Sequence, residues 1–261
     1  MRASQGAAVA VRETLEFTGQ DLRGRDFTGA ALAGANFSGA DLSGANFFDA
    51  DLSEAEFTGA TLDGANFERS HAAGACFGNA SMRDARLFGV DLSGATLSGA
   101  DLTEADLRDA NLSNVRMIQC TLDGADLSQA SLHGAFTRGS SCKGTNFNQA
   151  KLAGACLREL RGAATATWIE AEITRVDFTG AYLLRRQILD QNYIHEFRNR
   201  SRAHGILVEG AVPRHDSRFL AASHENVRVP TVPPVACGVW RRGRGQGVKV
   251  LYPMSVSVYR K

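Results

Sequence analysis

Proline is nearly missing from this 261-residue chain: there are five, and all lie after residue 205 (Pro213, Pro230, Pro233, Pro234 and Pro253). Long hydrophobic runs are missing altogether. No window approaches the ~18 uncharged apolar residues of a membrane-spanning helix, and the opening MRASQGAAVAVR is too weak for a signal peptide. The five cysteines show no CxxC and no regular pairing, which suggests neither a disulfide framework nor a zinc site. These absences point to a soluble protein of a reducing compartment, the cytoplasm. The six histidines (His71, His133, His195, His204, His215 and His224) include no HExxH and share no ligand spacing with the cysteines. The stretch GRGQG at 243–247 lacks the preceding strand and the GK[ST] ending of a phosphate loop. No catalytic residue, metal or cofactor is therefore expected.

The formal charge of +1 conceals a segregation. Residues 15–160 hold 19 acidic and 11 basic side chains, whereas 161–261 hold 16 basic and 8 acidic. Two regions of different character meet between about residues 160 and 205.

What the first region has in abundance is a five-residue repeat. Every fifth residue from Phe17 to Leu157 gives 29 positions, of which 26 are Leu, Phe or Met; Ala72, Thr137 and Cys142 are the exceptions. Two residues earlier in each unit, 20 of the 29 are Ala, and only Leu15, Gln20 and Arg25 are larger than Val. Units such as ANFSG (35–39) and ADLSG (40–44) show the pattern. A period of five fits neither a helix nor a strand. Glycine at the end of many units favours a turn at every repeat. A chain turning this often, with one large and one small residue inward, closes into a coil, and stacked coils bury the inward residues in columns. With four units per coil, Phe17, Phe37, Phe57 and Phe77 form one column, and Phe27, Phe47 and Phe67 the column opposite. Leu22, Leu42, Leu62 and Met82 make a third, and Leu32, Leu52, Ala72 and Leu92 a fourth. The alternation of Phe and Leu would also permit two units per coil.

On these repeats the chain resembles the pentapeptide-repeat family, and the resemblance implies an all-β solenoid, a right-handed quadrilateral parallel β-helix. The expected organisation is an N-terminal cap or tail at 1–14, a β-helix over 15–185, a C-terminal capping helix over 186–205, and a loose basic tail over 206–261. Seven coils at ~4.8 Å make a rod about 35 Å long. Solenoid ends need caps, and LLRRQILDQNYIHEF (183–197) has its apolar residues at helical spacing. That helix reads as a cap, with a homodimer interface as the alternative. DQNYIHEF (190–197) is similar to a segment of some bacterial members in which membrane-associated segments follow, so a fragment of a membrane-associated relative is one alternative reading.

Four defects are expected to show. Ala72 leaves a void or draws in a neighbour. Around 133–144, where Thr137 and Cys142 hold core slots, a bulge would turn Phe136 inward. At 161–170 the register breaks, to resume one residue later at Ile173, Phe178 and Leu183. Cys76 and Cys156 share an outward column four coils apart, ~19 Å, beyond disulfide reach.

Function is left to the surface. The wall centred on Leu42 carries Asp21, Asp41, Asp63, Asp84, Asp101, Glu104 and Asp123, opposed by Arg23, Arg83 and Lys143. Carboxylates on a straight wall lack the pocket that shifts a pKa, so they predict no enzyme. They read either as a solvated face or, as the family resemblance implies for some members, as a mimic of duplex DNA that binds DNA gyrase. Phe48 and Phe88 follow core residues on a different wall, ~9.6 Å apart with Glu68 between them. Aligned outward aromatics read as anchors for a protein partner or as rings folded over neighbouring coils. The expected function is a non-enzymatic binding or scaffold protein whose rod does not itself bind nucleic acid. The candidate interaction residues are Asp41, Asp63, Asp84, Asp101, Glu104, Asp123, Phe48 and Phe88.

Overall fold

Each unit turns because its corner residue adopts a left-handed backbone conformation, as at Gly39 (φ +64°), where a side chain would be strained. The turn closes on itself: the Ala40 N–H donates to the Phe37 carbonyl at 3.0 Å. The computed structural model describes residues 15–184 and 207–209. Across the repeats, parallel bridges join residues twenty apart, from Glu16 with Asn36 through Ser141 with Arg161. Twenty residues are four units, so each coil has four sides. Between coils the backbone is fully engaged: the Phe37 N–H donates to the Glu56 carbonyl (2.7 Å) and the Asn36 N–H to the Leu15 carbonyl (2.8 Å). Each side pairs at a single residue, so the walls are ladders of isolated bridges. Among the described residues only Tyr182–Leu184 (β1) and Leu207–Glu209 (β2) extend into strands.

The inward residues pack as columns. Phe37 and Phe57 stack at 4.9 Å with ring planes 5° apart, and Phe47 and Phe67 at 4.8 Å and 18°. Phe37 meets Phe47 across the interior edge-on at 5.8 Å and 81°. Stacked along the axis and edge-to-face across it, the rings adopt both favourable quadrupole arrangements. Phe17, Leu22 and Phe27, in the first coil, are only partly buried. There the larger Gln20 finds a use, since its Nε2 donates to the Glu16 carbonyl at the open rim (3.2 Å).

The defects resolve as follows. Ala72 is fully buried and stays in register, its N–H bonded to the Asp91 carbonyl at 2.8 Å. The expected bulge at 133–144 is absent. Phe136 bridges Arg116 and Cys156 as an ordinary outward residue, while Thr137 and Cys142 are buried in the core slots. The unbroken backbone ladder on both sides holds Phe136 out. Two buried hydroxyls find carbonyls nearby, Thr145 Oγ1 donating to Leu122 (2.7 Å) and Ser140 Oγ to Met117, whereas that of Thr137 has no partner. Burial pushes the Cys120 and Cys142 thiols up, so they stay protonated.

The break at 161–170 is a one-residue insertion. Bridges run from Ser141 to Arg161, then from Asn146 to Thr167, twenty-one apart. Trp168 fills the core slot above Phe147, stacked at 4.2 Å and 10°, and meets Phe178 edge-on at 5.6 Å.

The C-terminal expectations need one correction. Helical spacing was read from residue 183, but Tyr182–Leu184 is strand β1, paired in parallel with β2 through Tyr182 with Leu207 and Leu184 with Glu209. Leu183 is buried as one more core residue, within the β-helix expected over 15–185. The expected capping helix over 186–205 lies outside the described residues, as do 1–14 and the tail apart from Leu207–Glu209.

Candidate interaction surface

The four walls take their names from the second coil: Phe37, Leu42, Phe47 and Leu52. On the Leu42 wall the structure distributes the predicted carboxylates over two rows and a corner. Asp41 and Asp101 lie in the bridging row. Asp41 Oδ1 accepts from Ser43 N (3.1 Å) and Ser43 Oγ (2.6 Å). Those bonds hold its carboxyl below the usual range. For Asp101, burial acts to raise the pKa, but Thr103 and the Arg83 guanidinium outweigh it and the net shift is downward. Arg83 Nη1 sits 3.0 Å from Asp101 Oδ2. Asp63 and Asp123 are clamps between coils. Asp63 Oδ1 accepts from Ser81 Oγ (2.6 Å) and Arg83 N (3.1 Å), and Asp123 Oδ1 accepts from Ser141 Oγ (2.5 Å) and Lys143 N (2.9 Å). Asp84 and Glu104 occupy successive corners with φ of +55° and +58°. Most of this wall's charge is thus engaged in bonding the coil to itself.

The Phe47 wall differs. Phe48, Glu68, Phe88, Arg108, Ser128, Asn148 and Ile169 follow the core residues in a single row, Ile169 joining through the insertion. Phe88 is 38 % exposed and Ile169 55 %; of the other large exposed apolar side chains among the described residues, Leu15 lies in the first described coil and Tyr182, like Ile169, in the last. Phe48 is half-buried, which agrees with a ring lying partly over its neighbours. The Arg108 guanidinium stands 5.7 Å from the Phe88 ring centroid and is held there by Asp106, with Nη2–Oδ2 at 2.7 Å and Nε–Oδ1 at 2.8 Å. A cation over a ring face adds to an aromatic anchor. Arg86 pins Glu68, its Nε donating to Oε1 at 2.8 Å. Beneath them the Asn66 amide donates to Asn46 Oδ1 (2.9 Å), and Asn46 Oδ1 also accepts from Phe48 N (3.2 Å). The row stands on a fixed base.

Sequence reasoning found Phe48 and Phe88 but missed Arg108 and Ile169. Counting twenty from Phe88 reaches Arg108, so that signal was available. Ile169 needed the position of the inserted residue. Cys76 and Cys156 share a bridging row, as expected, and no disulfide joins the described cysteines. Among the described residues no three His, Cys, Asp or Glu side chains are grouped as metal ligands, and no helix is long and apolar enough to cross a membrane.

A family model described as pentapeptide repeats matches in eight copies, at residues 16–49, 50–89, 85–124 and 125–159. Comparison with curated proteins gives no match. Among solved structures the chain is similar to HetL, a pentapeptide repeat protein involved in heterocyst differentiation regulation from the cyanobacterium Nostoc sp. strain PCC 7120. The identity is 25 %, covering 64 % of this chain and 90 % of that one, with a TM-score of 0.27. QnrB1, a plasmid-mediated fluoroquinolone resistance protein, is 24 % identical over 70 % of this chain and 95 % of its own, with a TM-score of 0.34. A pentapeptide repeat protein from the Arabidopsis thaliana thylakoid lumen is 29 % identical over 51 % of this chain and 69 % of its own, with a TM-score of 0.22.

Proposed function

The chain belongs to the pentapeptide-repeat family, and we propose that it is a non-enzymatic, cytoplasmic binding protein whose protein partner docks on the Phe47 wall. The right hand of the coil is taken from the family. One observation carries the docking face: Phe88, the exposed large apolar side chain that lies away from both described ends of the coil, stands in one row with Phe48 and Ile169. Anchors in line on a rigid wall lose little conformational freedom on binding, and Phe88 and the Arg108 beside it are residue types enriched at protein interfaces. The test is capture from lysate followed by identification of the bound protein. Phe48→Ser with Phe88→Ser leaves the core columns intact, so the fold survives. The partner retained by the parent is lost from the double variant. Equal recovery by both moves the site to another wall.

A second reading, a duplex mimic acting on DNA gyrase as the family resemblance implies, draws on the Leu42 wall. Its support is that Asp41 and Asp101 are held ionised. Against it, Arg23 and Arg83 neutralise the same rows, and duplex DNA carries a charge every ~1.7 Å. Asp84→Asn with Glu104→Gln would abolish gyrase binding on this reading and leave Phe47-wall binding untouched.

A further inference from the structure

The Phe37 wall has charge of both signs, sorted by position. Its N-terminal half carries Glu16 and Glu56, and its C-terminal half carries Arg116, Arg138 and Arg158, the last two beside Glu159 and Asp177. Between them the surface is small: Cys76 bridges Thr96 in one row, and Gly78 and Ser98 follow in the next. Arg138 is paired with Glu159 at a corner (3.0 Å), and Arg158 lies 3.8 Å from Asp177. Arg116 is exposed and forms no ion pair among the described residues. Beside it, half-buried Ile118 and Phe136 add apolar surface.

We propose that this wall is a self-complementary interface through which two copies of the chain lie side by side and antiparallel. A two-fold axis across the rod, between the fourth and fifth rungs, sets each rung row against itself in reverse. Glu56 then faces Arg116 of the second copy, Asn36 faces Phe136, and Cys76 faces Thr96, with every contact made twice. The exposed guanidinium gains a carboxylate, and the small central residues let the backbones approach. Over Glu16–Glu159 the wall holds three carboxylates and three arginines, so two such walls carry no net repulsion. The same operation on the Leu42 wall sets Asp63 against Asp123 and Asp84 against Glu104. The Phe47 wall carries six carboxylates against three arginines between Asp26 and Asp126. Like charges in register oppose pairing of the Leu42 wall, and the excess of carboxylates over arginines opposes pairing of the Phe47 wall.

Eight rungs at ~4.8 Å and a side about 10 Å wide give a face of roughly 340 Å² per copy. That lies below the ~800 Å² per partner of a standard interface, so the dimer is weak and sensitive to salt. It leaves the opposite Phe47 walls facing outward in opposite directions, which makes the pair bivalent for a partner.

The test is sedimentation velocity with small-angle scattering on the full chain, from about 10 µM to about 1 mM. At low salt the parent forms a dimer thicker than the monomer but little longer, and added salt dissociates it. Glu56→Arg alone or Arg116→Glu alone weakens association at least about tenfold. The double swap Glu56→Arg with Arg116→Glu restores it, and thermal melts show each variant folded. A parent monomeric throughout, an end-to-end dimer indifferent to both reversals, or a double swap that fails to restore association overturns the proposal.

Discussion

Phe47 and Phe48 are neighbours in sequence with opposite fates. Phe47 is wholly buried between Phe27 and Phe67, stacked at 5.0 and 4.8 Å, whereas Phe48 rests half-buried on the wall. Phe47→Ala is expected to cost about 3–5 kcal/mol, the range of a buried aromatic truncation, and Phe48→Ala well under half of that. A denaturant titration of both variants checks the assignment, and equal losses would refute it. Thr137 shows the opposite sign. Its hydroxyl is buried without a hydrogen-bond partner, so Thr137→Val should stabilise the rod by about 1 kcal/mol. Ser140→Ala should destabilise it, because Ser140 Oγ both donates to the Met117 carbonyl and accepts from Cys120 N. The inward and outward sides of these residues were legible in the sequence, because a period of five leaves no freedom once the register is found. Their hydrogen bonds were not: the repeat puts Thr137 in a large slot and Ser140 in a small one without showing which hydroxyl meets a carbonyl, and the expectation for Phe136 failed because a hydrophobic pattern does not reveal a continuous backbone ladder.

At the scale of the coil, the insertion between Arg161 and Thr167 is where the regular geometry is tested. A methyl group added at Gly44 (φ +65°) would meet nothing within 4 Å, so Gly44→Ala pays only the left-handed strain of about 1–2 kcal/mol. At Gly162 (φ +78°) the same methyl would lie 2.8 Å from Lys143 N and 3.0 Å from its Cα, backbone atoms that cannot step aside. Gly162→Ala should therefore cost more than Gly44→Ala by at least about 1 kcal/mol, the scale of overpacking. Thermal melts of the two variants decide; equal losses would show that the insertion is slack. The sequence located this break and its one-residue size, since Ile173, Phe178 and Leu183 resume the spacing. It did not show Trp168 as a core residue, because within RGAATATWIE no neighbouring unit marks which position turns inward. Leu183, the first residue of the helically spaced stretch 183–197, belongs to the ladder for a related reason. The spacing of Leu183, Leu189 and Phe197 fits a helix, but Leu183 also fits the fivefold register, and the ladder extends to it.

For the whole molecule, the carboxylates brace the coil only while ionised, most of them by accepting from the residue two further on in the same turn. Asp21 is pulled down to about 2 by its bond to Arg23, and Asp26, Asp41, Asp51, Asp101 and Asp106 are also lowered. Groups whose folded pKa lies below the unfolded value stabilise fully above the ordinary carboxylate range, near 4, and lose that contribution as pH falls through the folded value. Thermal stability should accordingly decline from about pH 4 toward pH 2, and a melting temperature flat across that interval would contradict the assignment. The claim that matters most is that the Phe47 wall is the docking face. It is tested most directly by titrating one captured partner against variants of three walls: Phe48→Ser with Phe88→Ser, Asp84→Asn with Glu104→Gln, and Ser53→Arg with Ser93→Arg on the Leu52 wall. The account predicts that affinity falls at least about tenfold for the first, a loss of 1.4 kcal/mol or more, and within about twofold of the parent for the other two. Loss confined to the second or third variant, with the first binding like the parent, would contradict it.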